Sequence, residues 1–104
     1  MVETTTLPLA IPDNIVKFCE ERGLLSDLHQ AIRIAEEAYA PATNWMIELE
    51  PDPEVENEEY VVIDVTTTGD VEEILKKNDE FARRFTRSAS TEATWRIRVL
   101  WNVG

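Results

Sequence analysis

Residues 48–59 read ELEPDPEVENEE, and from Glu48 to Glu58 every second residue is acidic with no basic residue between them. Carboxylates this dense can hold a hard cation, do acid–base work, or face a basic partner. The calcium reading is testable by position. Asp52, Glu54 and Glu56 imitate the first ligands of a twelve-residue calcium loop, but its sixth position is Asn57 instead of glycine. Its twelfth is Ile63 instead of glutamate, and the flanks read as strands where helices are required. Paired carboxylates for glycoside chemistry are formally present, yet with 21 acids in 104 residues their presence carries no information. Two readings remain: a solvated loop that serves only solubility, and a surface for a basic partner with Glu48, Glu50, Asp52, Glu54, Glu56 and Glu58 as its candidate contacts.

Other chemistries fail on residue type. Gly23, Gly69 and Gly104 stand too far apart for a phosphate-cradling loop. One cysteine and one histidine cannot build the usual zinc ligand sets. His29 lies off the apolar stripe of its helix and reads as a surface residue. Cys19 falls on an apolar face, where a thiol is inert, because a reactive thiolate needs an electropositive and accessible setting. Asn78 is the odd amide in an apolar helix face and must find hydrogen bonds if buried. No catalytic residue, cofactor or metal ligand is assigned, and the expectation is a protein that is not an enzyme.

Charge sharpens the partner reading. The net charge is −11, and residues 41–70 alone hold nine acids and no base, hence −9. Residues 71–104 hold five acids and seven bases, hence +2, so the molecule is polarised. This balance opposes direct contact with nucleic acid or an anionic membrane and favours a basic protein or simple solubility. The first two helices, joined by a glycine turn, have helix-turn-helix spacing. The second carries Asp27, Glu36 and Glu37 against Arg33, the wrong sign for a field of phosphates. The start, MVETTTLPLAIPDN, lacks the basic and apolar regions of a signal peptide, and no run has the length of a membrane span. A cytoplasmic protein is expected.

The elements that carry these residues follow from periodicity. Residues 1–10 read as a flexible tail and 11–104 as one α+β domain. A first helix over 12–22 puts Ile15, Phe18 and Cys19 on one face and ends at Gly23. Ser26 or Asp27 is expected to cap a second helix reaching Tyr39, with Leu28, Ile32, Ala35 and Tyr39 inward and Pro41 as its stop. TNWMIELE, YVVIDVT and TWRIRVLWNV alternate with period two and read as three strands. Between the last two, Asp70 and Glu73 make a capping box for a helix. Val71, Ile74, Leu75, Asn78, Phe81, Ala82 and Phe85 are its expected inner face, with Arg83, Arg84 and Arg87 at its C-terminal end.

The order α-α-β-β-α-β predicts a two-layer domain with helices on one face of a three-stranded mixed sheet. A right-handed crossover makes strand three parallel to strand two. Matching Glu48 and Glu50 with Arg96 and Arg98 across the sheet predicts the spatial order 2-1-3. Trp95 and Trp101 are then expected in the core, on Phe81 and Phe85. Pro51 and Pro53 are expected to lift residues 51–58 off the sheet, leaving Asp52, Glu54, Glu56 and Glu58 in solvent. The other sheet face presents Met46, Tyr60, Val62 and Leu100 among charges, a surface suited to a homodimer.

The phrases IPDNIVKFCEERGLL and EEYVVIDVTTTGDVEEIL resemble small, acidic, uncharacterised bacterial proteins, a kind that includes antitoxins and immunity proteins. The resemblance spans residues 11–100 by pattern and transfers no catalytic residue. It implies a protein that binds and neutralises a basic partner. The sequence reading is therefore a small acidic interaction module without catalytic activity. Two rivals stand beside it: a small enzyme or ligand-binding domain with a pocket between helices and sheet, which a polar cavity around Asn78 would support, and a structural subunit that homodimerises.

Overall fold

A glycine in the left-handed region sets the first corner of the chain. Gly23 (φ 69°) closes helix α1 (Asp13–Arg22), and the amides of Gly23 and Leu24 return to the carbonyls of Glu20 and Cys19. The computed structural model describes residues 11–103; the tail expected over 1–10 lies outside them. Ile15, Phe18 and Cys19 are buried on one face of α1, as their spacing predicts. Helix α2 (Leu25–Ala38) starts at once, with Leu24 as its N-cap residue and no side-chain cap. The expected cap at Ser26 or Asp27 is thereby corrected. Leu24 is buried, so the turn is fixed by packing, and Asp27 instead accepts a hydrogen bond from the Ser90 hydroxyl (3.0 Å).

Strands β1 (Ala42–Pro51) and β2 (Glu59–Thr67) pair antiparallel, with Ile47 opposite Ile63 and Glu48 opposite Val62. Helix α3 (Val71–Ser88) then carries the chain over to β3 (Ile97–Val103), which runs parallel to β2. The α3 capping box is present: the Asp70 carboxylate accepts from the Glu73 amide (2.9 Å), and the Asp70 amide donates to Glu73 Oε1 (3.1 Å). Its buried face is narrower than periodicity predicts. Ile74, Phe81 and Phe85 are buried, whereas Val71, Leu75 and Ala82 are exposed.

Two expectations about the sheet are corrected. The first is strand order, which is β1-β2-β3 and not 2-1-3. Glu48 and Arg98 flank Val62 from opposite sides and do not pair, and Glu50 lies beside Tyr60. Surface charge pairs across strands are worth only about 0.2–1 kcal/mol each. Burying a valine or isoleucine is worth about 1.5–3 kcal/mol. β2, with Val61, Val62, Ile63 and Val65 all buried, therefore takes the doubly paired centre, and the acidic strand goes to an edge.

The second is the start of the last strand. Residues expected in it form a separate short helix, α4 (Thr91–Arg96), so the order is α-α-β-β-α-α-β. Ser90 caps α4 by accepting a hydrogen bond from the Ala93 amide (3.1 Å). The core unites Ile15, Leu28 and Tyr39 from the first half with Ile63, Phe81 and Ile97 from the second. Tyr39, Phe81 and Phe85 form its aromatic line, with ring centroids 6.2 and 5.4 Å apart. The hydroxyl of Thr67, the buried polar side chain, shares its one proton between the carbonyls of Tyr39 (2.8 Å) and Pro41 (3.0 Å) and accepts from Lys77, which ties the end of α2, β2 and α3 together.

Candidate functional site

The acidic ribbon begins as strand and ends as a folded turn. Pro51 still pairs with Glu59, so the chain leaves the sheet one residue later than expected. The Asp52 amide then donates to the Glu58 carbonyl (2.9 Å) and closes the loop. Asp52 Oδ1 accepts from the amides of Glu54 (2.8 Å) and Val55 (3.3 Å), a local turn that aspartate favours. Asn57 supplies the left-handed residue (φ 65°) that such a loop needs.

The other carboxylate oxygen of Asp52 accepts from Arg96 Nη1 at 2.9 Å. Both side chains are largely covered, at 13% and 15% exposure, so Asp52 is not the solvated residue that the sequence predicts. Glu58 is likewise withdrawn, in an ion pair with Arg22. The physical reason is in the packing: α4 brings Arg96 over the loop, and α1 ends with Arg22 beside it. The Glu54 amide first, and then the Arg96 guanidinium, hold the Asp52 carboxyl below the ordinary carboxylate range. The Arg22 hydrogen bond does the same for Glu58.

The six acids therefore fall into three groups. Asp52 and Glu58 are committed to internal arginines, Glu54 and Glu56 stand exposed on the loop, and Glu48 and Glu50 project from β1. Glu54 does not stand alone. Together with Asp52, Pro53 and Val55 of the loop it lines a cleft of about 260 Å³, completed by Glu92, Trp95 and Arg96 of α4 and by Arg98 of β3. Trp95 is 66% exposed, which corrects its expected place in the core. The helical turn of α4 breaks the strand alternation and turns the indole outward, while Ala93 and Ile97 take the buried positions. Trp101 does pack against the core, partly buried. Arg96 Nε is buried without a hydrogen-bond partner, its closest carboxylate being Glu92 at 3.6 Å.

Sequence reasoning missed Glu92, Trp95 and Val55 as neighbours of the ribbon. A signal existed in Ser90-Thr91-Glu92-Ala93, a capping serine ahead of helix-forming residues, but it is overlaid by the period-two pattern that continues into β3. Comparison with protein families, curated proteins and solved structures gives no match.

Met46, Tyr60, Val62 and Leu100 share one sheet face, but Asp64 separates Met46 from Leu100 and is held by the Asn102 amide. Val62 is only 6% exposed, and the Arg98 guanidinium lies over the Tyr60 ring, 4.6 Å from its centroid. The Asn78 amide is accounted for structurally, since its oxygen accepts from the Tyr39 hydroxyl at 2.7 Å. Burial raises the Cys19 thiol to about 11, which makes it a poor nucleophile at neutral pH. His29 is exposed. Among the described residues no three His, Cys, Asp or Glu side chains converge to hold a metal, and no helix is long and apolar enough to cross a membrane.

Proposed function

We propose that this chain is a small acidic interaction module without catalytic activity, which receives a basic segment of a partner protein in the cleft between the hairpin loop and α4. The observation that carries this reading is Trp95, an indole held 66% exposed on a helix, in one cleft with Glu54 and Glu92. An aromatic face attracts a lysine or arginine head group, and adjacent carboxylates complete its solvation as water leaves. Val55 offers apolar surface for the aliphatic stem of such a side chain.

The internal arginines refine the electrostatics. By neutralising Asp52 and Glu58 they fix the loop's shape, which leaves Glu54 and Glu56 to face outward. The whole-molecule charge of −11 would then steer a cationic partner, raising the encounter rate more than the final affinity. A two-layer arrangement, with helices on one face of the sheet, leaves this end of the molecule open. Neutralisation of a basic partner in the cytoplasm, in the manner of antitoxins and immunity proteins, fits both features.

The test is titration with a lysine- and arginine-rich peptide at two salt concentrations. Glu54→Gln with Glu92→Gln should weaken binding several-fold, whereas Glu20→Gln with Glu21→Gln, the same charge change on exposed α1 positions, should leave it nearly unaltered. Equal weakening by both pairs would reduce the attraction to net charge and remove the cleft from the account.

A further inference from the structure

The two edges of the sheet are protected unequally. Sheet edges expose unpaired main-chain donors and acceptors, and proteins guard them with charge, proline or short length. The β1 edge is guarded: it carries Glu48 and Glu50, ends in Pro51, and runs into the acidic loop. The β3 edge is guarded less, by one basic residue and a shorter length. Ile97–Val103 contains no acid and no proline, and its single charge is Arg98. Its outer side has no neighbouring strand, and among the described residues no loop or turn backbone group bonds to residues 98–103 there. Leu100 and Val103 stand 53% and 55% exposed on it.

From this asymmetry we infer that β3 pairs antiparallel with β3 of a second copy, about a two-fold axis at Leu100, to give one continuous six-stranded sheet. Self-complementarity selects a second copy as the occupant. With Leu100 opposite Leu100 of the other copy, Arg98 faces Asn102 and Val99 faces Trp101, so no like charges are opposed. A molecule of charge −11 repels its own copies over most of its surface. The strand that carries one arginine and no acid is where that repulsion is least. Pairing this way continues the row Met46–Asp64–Leu100 into its symmetry mate and covers both leucines. The inference stands apart from the cleft reading, because Glu54, Glu92 and Trp95 take no part.

Sedimentation of the full chain at high micromolar concentration tests it. The wild type should be dimeric. Leu100→Lys should be monomeric with an unchanged circular-dichroism spectrum, and Met46→Lys should remain dimeric. Met46 separates this arrangement from a face-to-face dimer through the same sheet surface, which Met46→Lys would also dissociate. As a second variant, Leu100→Cys should form an interchain disulfide on mild oxidation, because directly opposed antiparallel residues have Cα atoms about 4.5–5.5 Å apart, within the reach of a disulfide. A monomeric wild type, a dimeric Leu100→Lys, a monomeric Met46→Lys, or a Leu100→Cys dimer that fails to cross-link would each overturn the inference.

Discussion

At Asp52 one carboxylate oxygen holds the amides of Glu54 and Val55 while the other holds Arg96, so a single side chain shapes the loop and fastens it to α4. Its lowered pKa, with that of Glu58, makes a stability statement. A carboxyl that is lower in the folded state than in the unfolded chain stabilises the fold above the unfolded value. That contribution disappears as pH falls through the folded value. Wild-type stability should therefore decline below about pH 4, where ordinary carboxylates protonate. Glu36 acts in the opposite sense, because burial and then Glu37 raise its pKa and favour its protonated form in the fold. Comparing wild type with Asp52→Asn plus Glu58→Gln isolates the two lowered groups. Thermal melts over a pH series should show a flatter acid limb in the variant; parallel limbs would mean that the two ion pairs contribute nothing to stability. The ribbon itself was legible in sequence as six alternating acids. What alternation could not convey is which of them meet arginines, since Arg22 and Arg96 lie 36 and 44 residues away from their partners.

Among the elements, those set by local signals appear where the sequence puts them. Gly23 ends α1, Asp70 and Glu73 start α3, and the three strands form over the expected segments, β3 keeping its alternation while β2 buries Val61, Val62 and Ile63 in succession. The errors arise where two signals compete. In residues 94–96 the strand alternation of TWRIRVLWNV overlaps the helix started by Ser90, and the helix wins because its cap, together with burial of Ala93, outweighs three residues of ladder. Strand order is the other case, since charge matching pointed to an acidic centre and burial to an apolar one. Periodicity describes one strand at a time and is silent about its neighbours. The corrected position of Trp95 has a measurable consequence. Trp95→Ala should alter stability by no more than about 0.5 kcal/mol, as for other exposed positions. Phe81→Ala, which removes the ring packed between Tyr39 and Phe85, should cost about 3–5 kcal/mol. Denaturant unfolding of the two variants checks this, and comparable losses would return Trp95 to the core.

Across the whole molecule, charge is distributed with a direction. Residues 41–70 carry nine acids without a base, and the fold answers two of them, Asp52 and Glu58, with arginines from α4 and α1. A second ion pair, Arg84 with Glu37, joins α3 to α2, and Glu80 holds the same guanidinium from within α3. The surplus stays on β1 and the loop tip, beside the exposed indole. The two proposed associations should respond oppositely to salt. Screening weakens attraction of a basic segment to Glu54 and Glu92, and it relieves the mutual repulsion of two copies pairing through β3. The most direct measurement concerns Trp95 itself. Indole N–H resonances of the full chain can be followed while a lysine-rich peptide is added, with an otherwise similar glutamate-rich peptide as control. The account predicts that the Trp95 signal moves with the lysine-rich peptide alone, and that Trp45 and Trp101, which pack against the core, stay in place. A stationary Trp95 signal while the peptide binds would contradict it.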